Sequence, residues 1–329
     1  MNYGFWSKLK KPIMVLAPMA DVTDVAFREI IAKYGKPDVF WTEFVSAAGL
    51  DSVGRDKLLI DLQFSKKQRP IVAQFFSSKP SQMYKVAQLA AKLGFDGIDI
   101  NMGCPDKSIE KQGAGAALMK NPALAAEIIL ATKEGAGKLP VSVKTRLGYN
   151  TNVLDQWLVA LLKAEPAVII IHARTRKQMS KVPAQWSEVA RAVTLTKELT
   201  DSKNRPLIFG NGDVTSLIQA KELAKQTGAD GVMIGRGIFG NPWFFNPKKS
   251  LTSISLEERF GVMLEHTFLF AKLLGQYKNF DIMKKHFKAY VSGFDGAKEL
   301  RVKLMAAKTA QQVMAIIVKN YPKVKIPKI

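Results

Sequence analysis

Apolar residues recur along this chain in two rhythms. Short, nearly continuous apolar runs begin at eight places: IMVLAPM from 13, VFWTEFVS from 39, IVAQFF from 71, GIDINMG from 97, PVSVKTRLG from 140, AVIIIHART from 167, RPLIFGNGD from 205 and GVMIGR from 231. They are rich in Val, Ile and Phe and are bounded by Gly, Pro, Asp or Asn, which marks them as strands. Their starts lie 26 to 43 residues apart, room each time for one crossover helix. Between them the rhythm is helical. Pro80 opens and Gly94 closes a helix whose stripe is Val86, Leu89, Ala90 and Leu93. Asn121 and Pro122 read as a cap and a first-turn proline ahead of ALAAEIILATKEG.

Strands this apolar, alternating with helices, argue for a parallel sheet covered on both faces. Eight such units predict an α/β fold, a (β/α)8 TIM barrel, over residues 1–245. No GxGxxG follows the first strand, which argues against a dinucleotide-binding Rossmann start. Beyond residue 245 the strand runs stop, and residues 246–329 predict a small all-helical C-terminal domain. Val302, Met305, Ala306, Thr309, Val313, Ile316 and Ile317 predict one long helix near its end.

Composition sharpens this picture. With 47% hydrophobic residues in 329, the chain has enough apolar material for a full core. Its formal net charge is +21, and residues 246–329 carry 16 Lys or Arg against 6 Asp or Glu, about half of that excess. A polyanion is the partner that such a charge suits, RNA or DNA being the usual one. The single cysteine, Cys104, excludes an intrachain disulfide and a Cys-based zinc site, and it suits a reducing compartment. No metal site is expected. The lysines and apolar residues of the first 21 positions are interrupted by Pro12, Pro18 and Asp21, so they predict a buried first strand rather than a signal peptide. No run of 18 apolar residues occurs, so no membrane association and a cytoplasmic location are expected.

In barrels of this type the chemistry gathers at the C-terminal ends of the strands. Those ends here carry Pro18, Met19 and Ala20; Glu43; Gln74; Asn101 to Cys104; Lys144 and Arg146; His172 and Arg174; Asn211, Gly212 and Asp213; and Gly235 with Arg236. Lys144 interrupts a run suited to burial, which reads either as a lysine turned outward or as a fixed cation facing an anion. GNGDV and IGRGIFGNP have the small residues that let backbone N–H groups approach a phosphate. His266 and His286 fall on basic helices and are expected at the surface. A free thiol has a pKa of about 8.5 and is roughly 97% protonated at neutral pH, so an unassisted Cys104 is a stored proton more than a nucleophile. Gly113 and Gly115 would let its loop move.

The set resembles the dihydrouridine synthase family. The resemblance runs through APMADVTD (17–24), DINMGCPDK (99–107), GAGAALMKNP (113–122), VKTRLG (143–148), IHARTR (171–176), NGD (211–213) and MIGRGIFGNPWFF (233–245), in the family's order. Asp21 stands where the family often has Gly, and Ser77-Ser78-Lys79-Pro80 where it has Gly-Ser-Asp-Pro. The resemblance implies reduction of the C5–C6 double bond of particular uridines in transfer RNA, with tightly bound FMN and transient NADPH. It implies that Pro18, Met19, Ala20 and Gln74 line the flavin, that Lys144 faces its N1–C2 side with His172 beside it, and that Asn211, Gly212, Asp213, Gly235 and Arg236 hold its ribityl and phosphate groups. Cys104 becomes the proton donor. Asn101, Arg146, Arg174 and Arg176 would meet the uridine or nearby phosphates, and Lys284, Lys285 and Lys288 the tRNA backbone. No protein partner is implied. Two other readings stay open on the residues alone: a flavin barrel acting on a free pyrimidine, as dihydroorotate dehydrogenases do, and an RNA-binding barrel without catalysis.

Overall fold

A computed structural model describes residues 1–201 and 204–327 of the chain. Eight parallel strands form one sheet: β1 (Ile13–Leu16), β2 (Phe40–Ser46), β3 (Ile71–Phe76), β4 (Gly97–Asn101), β5 (Val141–Arg146), β6 (Val168–His172), β7 (Leu207–Asn211) and β8 (Gly231–Ile234). Each pairs in parallel with its sequence neighbours from β2 through β8, and β8 pairs with β1. The ring closes between β1 and β2 by a parallel bridge, Val15 to Val39, with the Leu16 N–H donating to the Val39 carbonyl at 3.1 Å. This is a TIM-type barrel with all eight expected strands in place.

The helices of the barrel are α1 (Val25–Tyr34), α2 (Ala47–Leu50), α3 (Arg55–Leu59), α4 (Pro80–Leu93), α5 (Lys107–Glu110), α6 (Pro122–Ala136), α7 (Leu154–Lys163), α8 (Trp186–Leu199) and α9 (Leu217–Thr227). After β8 come α10 (Leu256–Leu274), α11 (Met283–Tyr290), α12 (Ala297–Ala306) and α13 (Ala310–Asn320). The capping expectations hold: Gly94 ends α4 in the left-handed region, and the Asn121 side chain accepts from the Leu124 N–H at 3.2 Å. The stripe of α4 is rotated from the expected one. Met83, Val86, Ala87 and Ala90 are buried, whereas Leu93 is exposed at the helix end.

Alternation along the strands sorts their side chains into two cores. Ile13, Val15, Trp41, Val72, Val168, Ile170, Phe209 and Met233 pack inside the ring, with Trp6 closing its floor. Met14, Leu16, Phe40, Ile71, Ile98, Ile169, Ile208 and Val232 face outward into the layer beneath the helices.

Two expectations for the C-terminal helices are corrected. The predicted long helix is broken into α12 and α13, because Thr309 leaves the helical conformation and its side chain caps α13 through the Gln312 N–H. Val302 therefore lies exposed, and Leu300, Leu304, Val313 and Ile317 supply the buried face. His266 and His286 are not surface residues. Both are fully buried, their rings 4.5 Å apart and against Phe27 of α1, and burial holds both far below the usual imidazole pKa. Being neutral, they pack as flat half-apolar rings at the seam between α1, α10 and α11. The apolar cluster of this segment takes in Val25, Ala26, Ile30 and Trp243 from the barrel side. Among the described residues, no helix is long and apolar enough to cross a membrane, and none group as three or more metal-ligating side chains.

Candidate active site at the barrel mouth

The alternation that fills the ring with Val168 and Ile170 continues upward to His172, and that of Leu207 and Phe209 continues to Asn211. On β4 and β5 the same inward positions are Asp99 and Asn101, then Ser142 and Lys144. The apolar floor thus gives way to a polar layer at the C-terminal end, dictated by the period of two. Above this layer lies a cavity of about 640 Å³, lined by Pro18, Met19, Lys144, His172 and the loops after β7 and β8. That size is ordinary for a site taking a cofactor.

Lys144 forms no ion pair among the described residues. Burial and the neighbouring Arg146 lower its pKa to about 8, and Asp99 and Cys104 offset this only in part. It remains mostly charged at neutral pH, facing a cavity whose lining carboxylate, Asp213, is already paired with Arg174 and Arg236. His172 is held well below the ordinary imidazole pKa by burial and by Arg146, Lys144, Arg174 and Arg236. The Arg174 guanidinium lies 3.3 Å from its Nε2 and can only donate, so neutral His172 accepts there and carries its proton on Nδ1.

The loops after β7 and β8 meet at close quarters. A Cβ on Gly237 would lie 2.2 Å from the Val214 carbonyl, so glycine is required for the two loops to touch. Gly212, Asp213, Gly235 and Arg236 all line the cavity here. Asp213 is bonded by Arg174, by the Ala184 N–H at 2.9 Å and by Arg236 at 3.3 Å, and Arg174 holds its carboxyl below the usual range. The trio carries net charge +1, and the Arg236 side chain is 63% exposed, so its guanidinium is free to meet an incoming anion.

Cys104 stands past the end of β4, on the loop beside Lys144. Burial pushes its thiol pKa up, while the Asp106 N–H, Lys144 and Arg146 pull the other way by less. The thiol is therefore protonated at neutral pH. Its loop is tied by hydrogen bonds: Asn101 Oδ1 accepts from the Gly103 and Cys104 N–H groups at 3.1 and 2.9 Å, and the Cys104 carbonyl accepts from Ala116 N–H at 2.9 Å. Gly115 sits at φ 61°, where a Cβ would approach the Cys104 carbonyl oxygen to 2.9 Å, so this glycine serves close packing.

Other expected site residues lie elsewhere around the mouth. Ala20 is exposed beside the cavity and Gln74 is fully buried behind it, bonded to Asp99 and Asn101. Arg146 donates to the carbonyls of Gly103 (2.7 Å), Thr175 and Met179, clamping the Cys104 loop to the loop after β6. Arg174 is 2% exposed and also donates to the Val182 carbonyl at 2.6 Å. Arg176 forms a two-point pair with Glu110 over the ring of Tyr149. On α11, Lys285 and Lys288 are exposed, and Lys284 pairs with Asp281 at 2.7 Å. Lys285 also lies 3.4 Å from Asp21, which brings α11 to the rim. Asp21 adopts φ 55°, the left-handed conformation that explains why glycine suits that position.

Two residues escaped the sequence reading. Asp99 is fully buried with its pKa pushed up to about 6, burial outweighing its bonds from Ser142 and Gln74. Its signal was a carboxylate at an inward position of GIDIN. Lys278 reaches Glu43 at 2.8 Å and Asp61 at 2.6 Å from the C-terminal helices, and nothing local in the sequence marked it.

Known proteins resemble this chain in sequence and in fold. A family model described as dihydrouridine synthase matches residues 15–325. A protein of Staphylococcus aureus (strain MRSA252) named "Probable tRNA-dihydrouridine synthase" is 41% identical over 326 residues, 96% of this chain and 95% of its own. "Probable tRNA-dihydrouridine synthase 2" of Bacillus subtilis (strain 168) is 40% identical over 320 residues, 96% of each chain. Among solved structures, an old yellow enzyme homologue from Zymomonas mobilis superposes with TM-score 0.52 at 14% identity, covering 75% of this chain and 92% of that one. That likeness is one of fold.

Proposed function

The chain belongs to the dihydrouridine synthase family, and from that premise we propose that it reduces uridines in tRNA with FMN as cofactor and NADPH as reductant. The observation that supports this reading best is the unpartnered Lys144 ammonium under a cavity of about 640 Å³, beside a thiol that burial keeps protonated.

The residues present suit FMN. Lys144 offers a cation to the ring system, neutral His172 offers Nδ1–H, and the Gly212 and Gly235–Arg236 loops offer N–H groups and a guanidinium to a phosphate. When bound, FMN supplies the hydride that goes to C6 of the uracil ring. Sγ of Cys104 gives its proton to C5, which general-acid catalysis of this kind accelerates by about 10²–10⁴-fold. Lys144 and Arg146, whose charges act on the thiol, then stabilise the thiolate left behind. The uracil must leave its stack to reach the mouth, at a cost of a few kcal/mol. Contacts of the exposed Lys285 and Lys288 with the RNA backbone offset that cost, on a rim that α11 shares with the β1 loop. This assigns residues 1–245 to the chemistry and 246–329 to tRNA, in the reducing cytoplasmic setting that one free thiol suits.

The test is direct. Purified protein should show an absorbance band near 450 nm, and NADPH-reduced enzyme should be reoxidised by tRNA lacking dihydrouridine but not by free pyrimidines. Cys104→Ala should keep the band and NADPH oxidation yet lose tRNA reduction by about 10²–10⁴-fold; full tRNA reduction would remove the proton-donor role. Neutralising Lys284, Lys285 and Lys288 together should raise KM for tRNA and lower its salt slope by about one per lysine that meets a phosphate. An unchanged KM and slope would make that face of α11 merely solvated.

A further inference from the structure

We propose that Asp99 is a positioning residue that orients the side-chain amides of Gln74 and Asn101 in turn, and through them fixes the loop carrying Cys104. This rests on the reading of Cys104 as the proton donor.

The argument is one of donors and acceptors. Gln74 and Asp99 are register partners across β3 and β4, and Asn101 is the next inward residue on β4. All three are buried, Asp99 and Gln74 completely. Asp99 Oδ2 accepts from Gln74 Nε2 at 2.5 Å, while Asp99 Oδ1 accepts from the Ser142 hydroxyl. An ionised carboxylate only accepts, so Gln74 must turn its NH₂ toward it and its Oε1 away. Gln74 Oε1 accepts from Asn101 Nδ2 at 3.0 Å, which leaves Asn101 Oδ1 to face the Gly103 and Cys104 N–H groups. Those N–H groups only donate. Both ends of the chain therefore have fixed polarity, and of the four combinations of amide orientation only one satisfies every bond.

Without the carboxylate, Gln74 is free to turn over. Asn101 would then follow and point NH₂ at two N–H donors, and the loop would have to move. A displacement of about 1 Å at a reacting group costs about 10²-fold in rate. Ser142, Gln74 and Asn101 make no bond to Sγ itself, so the effect of Asp99 on the thiol is one of placement.

Because Cys104 is the chain's only thiol, its alkylation by iodoacetamide reports the loop with no substrate present. Asp99→Leu fills the space without an acceptor, whereas Asp99→Asn can turn Oδ1 to Gln74 while Ser142 accepts from Nδ2. Asp99→Leu and Gln74→Leu should each slow flavin reoxidation by tRNA about tenfold or more and change the alkylation rate several-fold. Asp99→Asn should stay near wild type in both readouts, and in Asp99→Leu flavin reoxidation by tRNA should fall further than flavin reduction by NADPH. The double Asp99→Leu/Gln74→Leu variant should be no slower than the worse single, since the groups act as one chain. Losses that add, or equal losses in Asp99→Asn and Asp99→Leu, would overturn the proposal. If Asp99→Leu does not fold, wild-type alkylation and reoxidation in Gln74→Leu overturn it equally. Should wild-type flavin fail to be reoxidised by tRNA, the functional reading falls, while the alkylation series still decides the positioning.

Discussion

Two partly buried lysines divide this molecule between function and architecture. Lys278, at the seam where the C-terminal helices meet the barrel, lies between Glu43 and Asp61. Their charges hold its ammonium firmly protonated, so its pKa is raised despite burial. Lys144, in the barrel mouth, has no such partners, and burial brings its pKa down to about 8. The first lysine is satisfied by its own chain and rivets two parts of it together. The second is satisfied only by what comes from outside. A buried cation that the fold leaves unneutralised is a binding site in waiting, whereas one that the fold neutralises is structure.

Substitution should therefore move stability in opposite directions at the two sites. Lys278→Met leaves Glu43 and Asp61 facing each other with Asp24 near, and should cost about 3–5 kcal/mol, read as a lowered Tm and denaturation midpoint. Glu43 is already pushed up to about 7 by burial ahead of its neighbours, and losing the lysine raises it further. A carboxyl whose folded pKa is raised loses stabilisation as pH climbs through that value, so the deficit should shrink toward pH 5 and grow toward pH 8. Equal stability in the variant would mean the seam holds without its rivet.

Lys144→Met should do the reverse to the flavin-free protein, raising its Tm, because an uncompensated charge is replaced by an apolar chain of similar length. The same change should weaken flavin binding by about 1.5–3 kcal/mol, roughly 10- to 150-fold, the worth of a bond to a charged group. A destabilised variant, or one that binds flavin normally, would erase the distinction between the two lysines.

The smallest effect is in pH. The folded pKa of Lys144, about 8, lies below the ordinary lysine value of 10.5, so the unfolded chain binds more protons between those values. Flavin-free wild type should thus gain stability relative to Lys144→Met as pH rises from 8 toward 10.5. An anion binds the charged lysine, so flavin affinity should fall above pH 8 by up to about tenfold per unit, and titrations across that range would show it. A flat profile would mean that Lys144 does not meet the cofactor's charge.

Much of the mouth was legible because strand alternation is local. Inward positions set by Ile170 and Phe209 carry forward to His172 and Asn211, and those below Lys144 could be counted from VSVK. Asp99 was legible by the same count, within GIDIN. Gln74 and Arg146 were found as mouth residues, but their sequence positions do not reveal that their polar groups are bonded within the protein.

The sequence by itself determined the number of strands, the caps of α4 and α6 and the placing of the lone thiol past β4. All of these follow from backbone periodicity and from residues within a turn of one another. Tertiary structure alone decided which charges are cancelled: Lys278 meets Glu43 across 235 positions of chain, His266 and His286 are driven inside by packing on Phe27, and Lys144 is left without a partner. Charge compensation acts through space over a few ångströms, and which groups come that close is set by how distant segments pack.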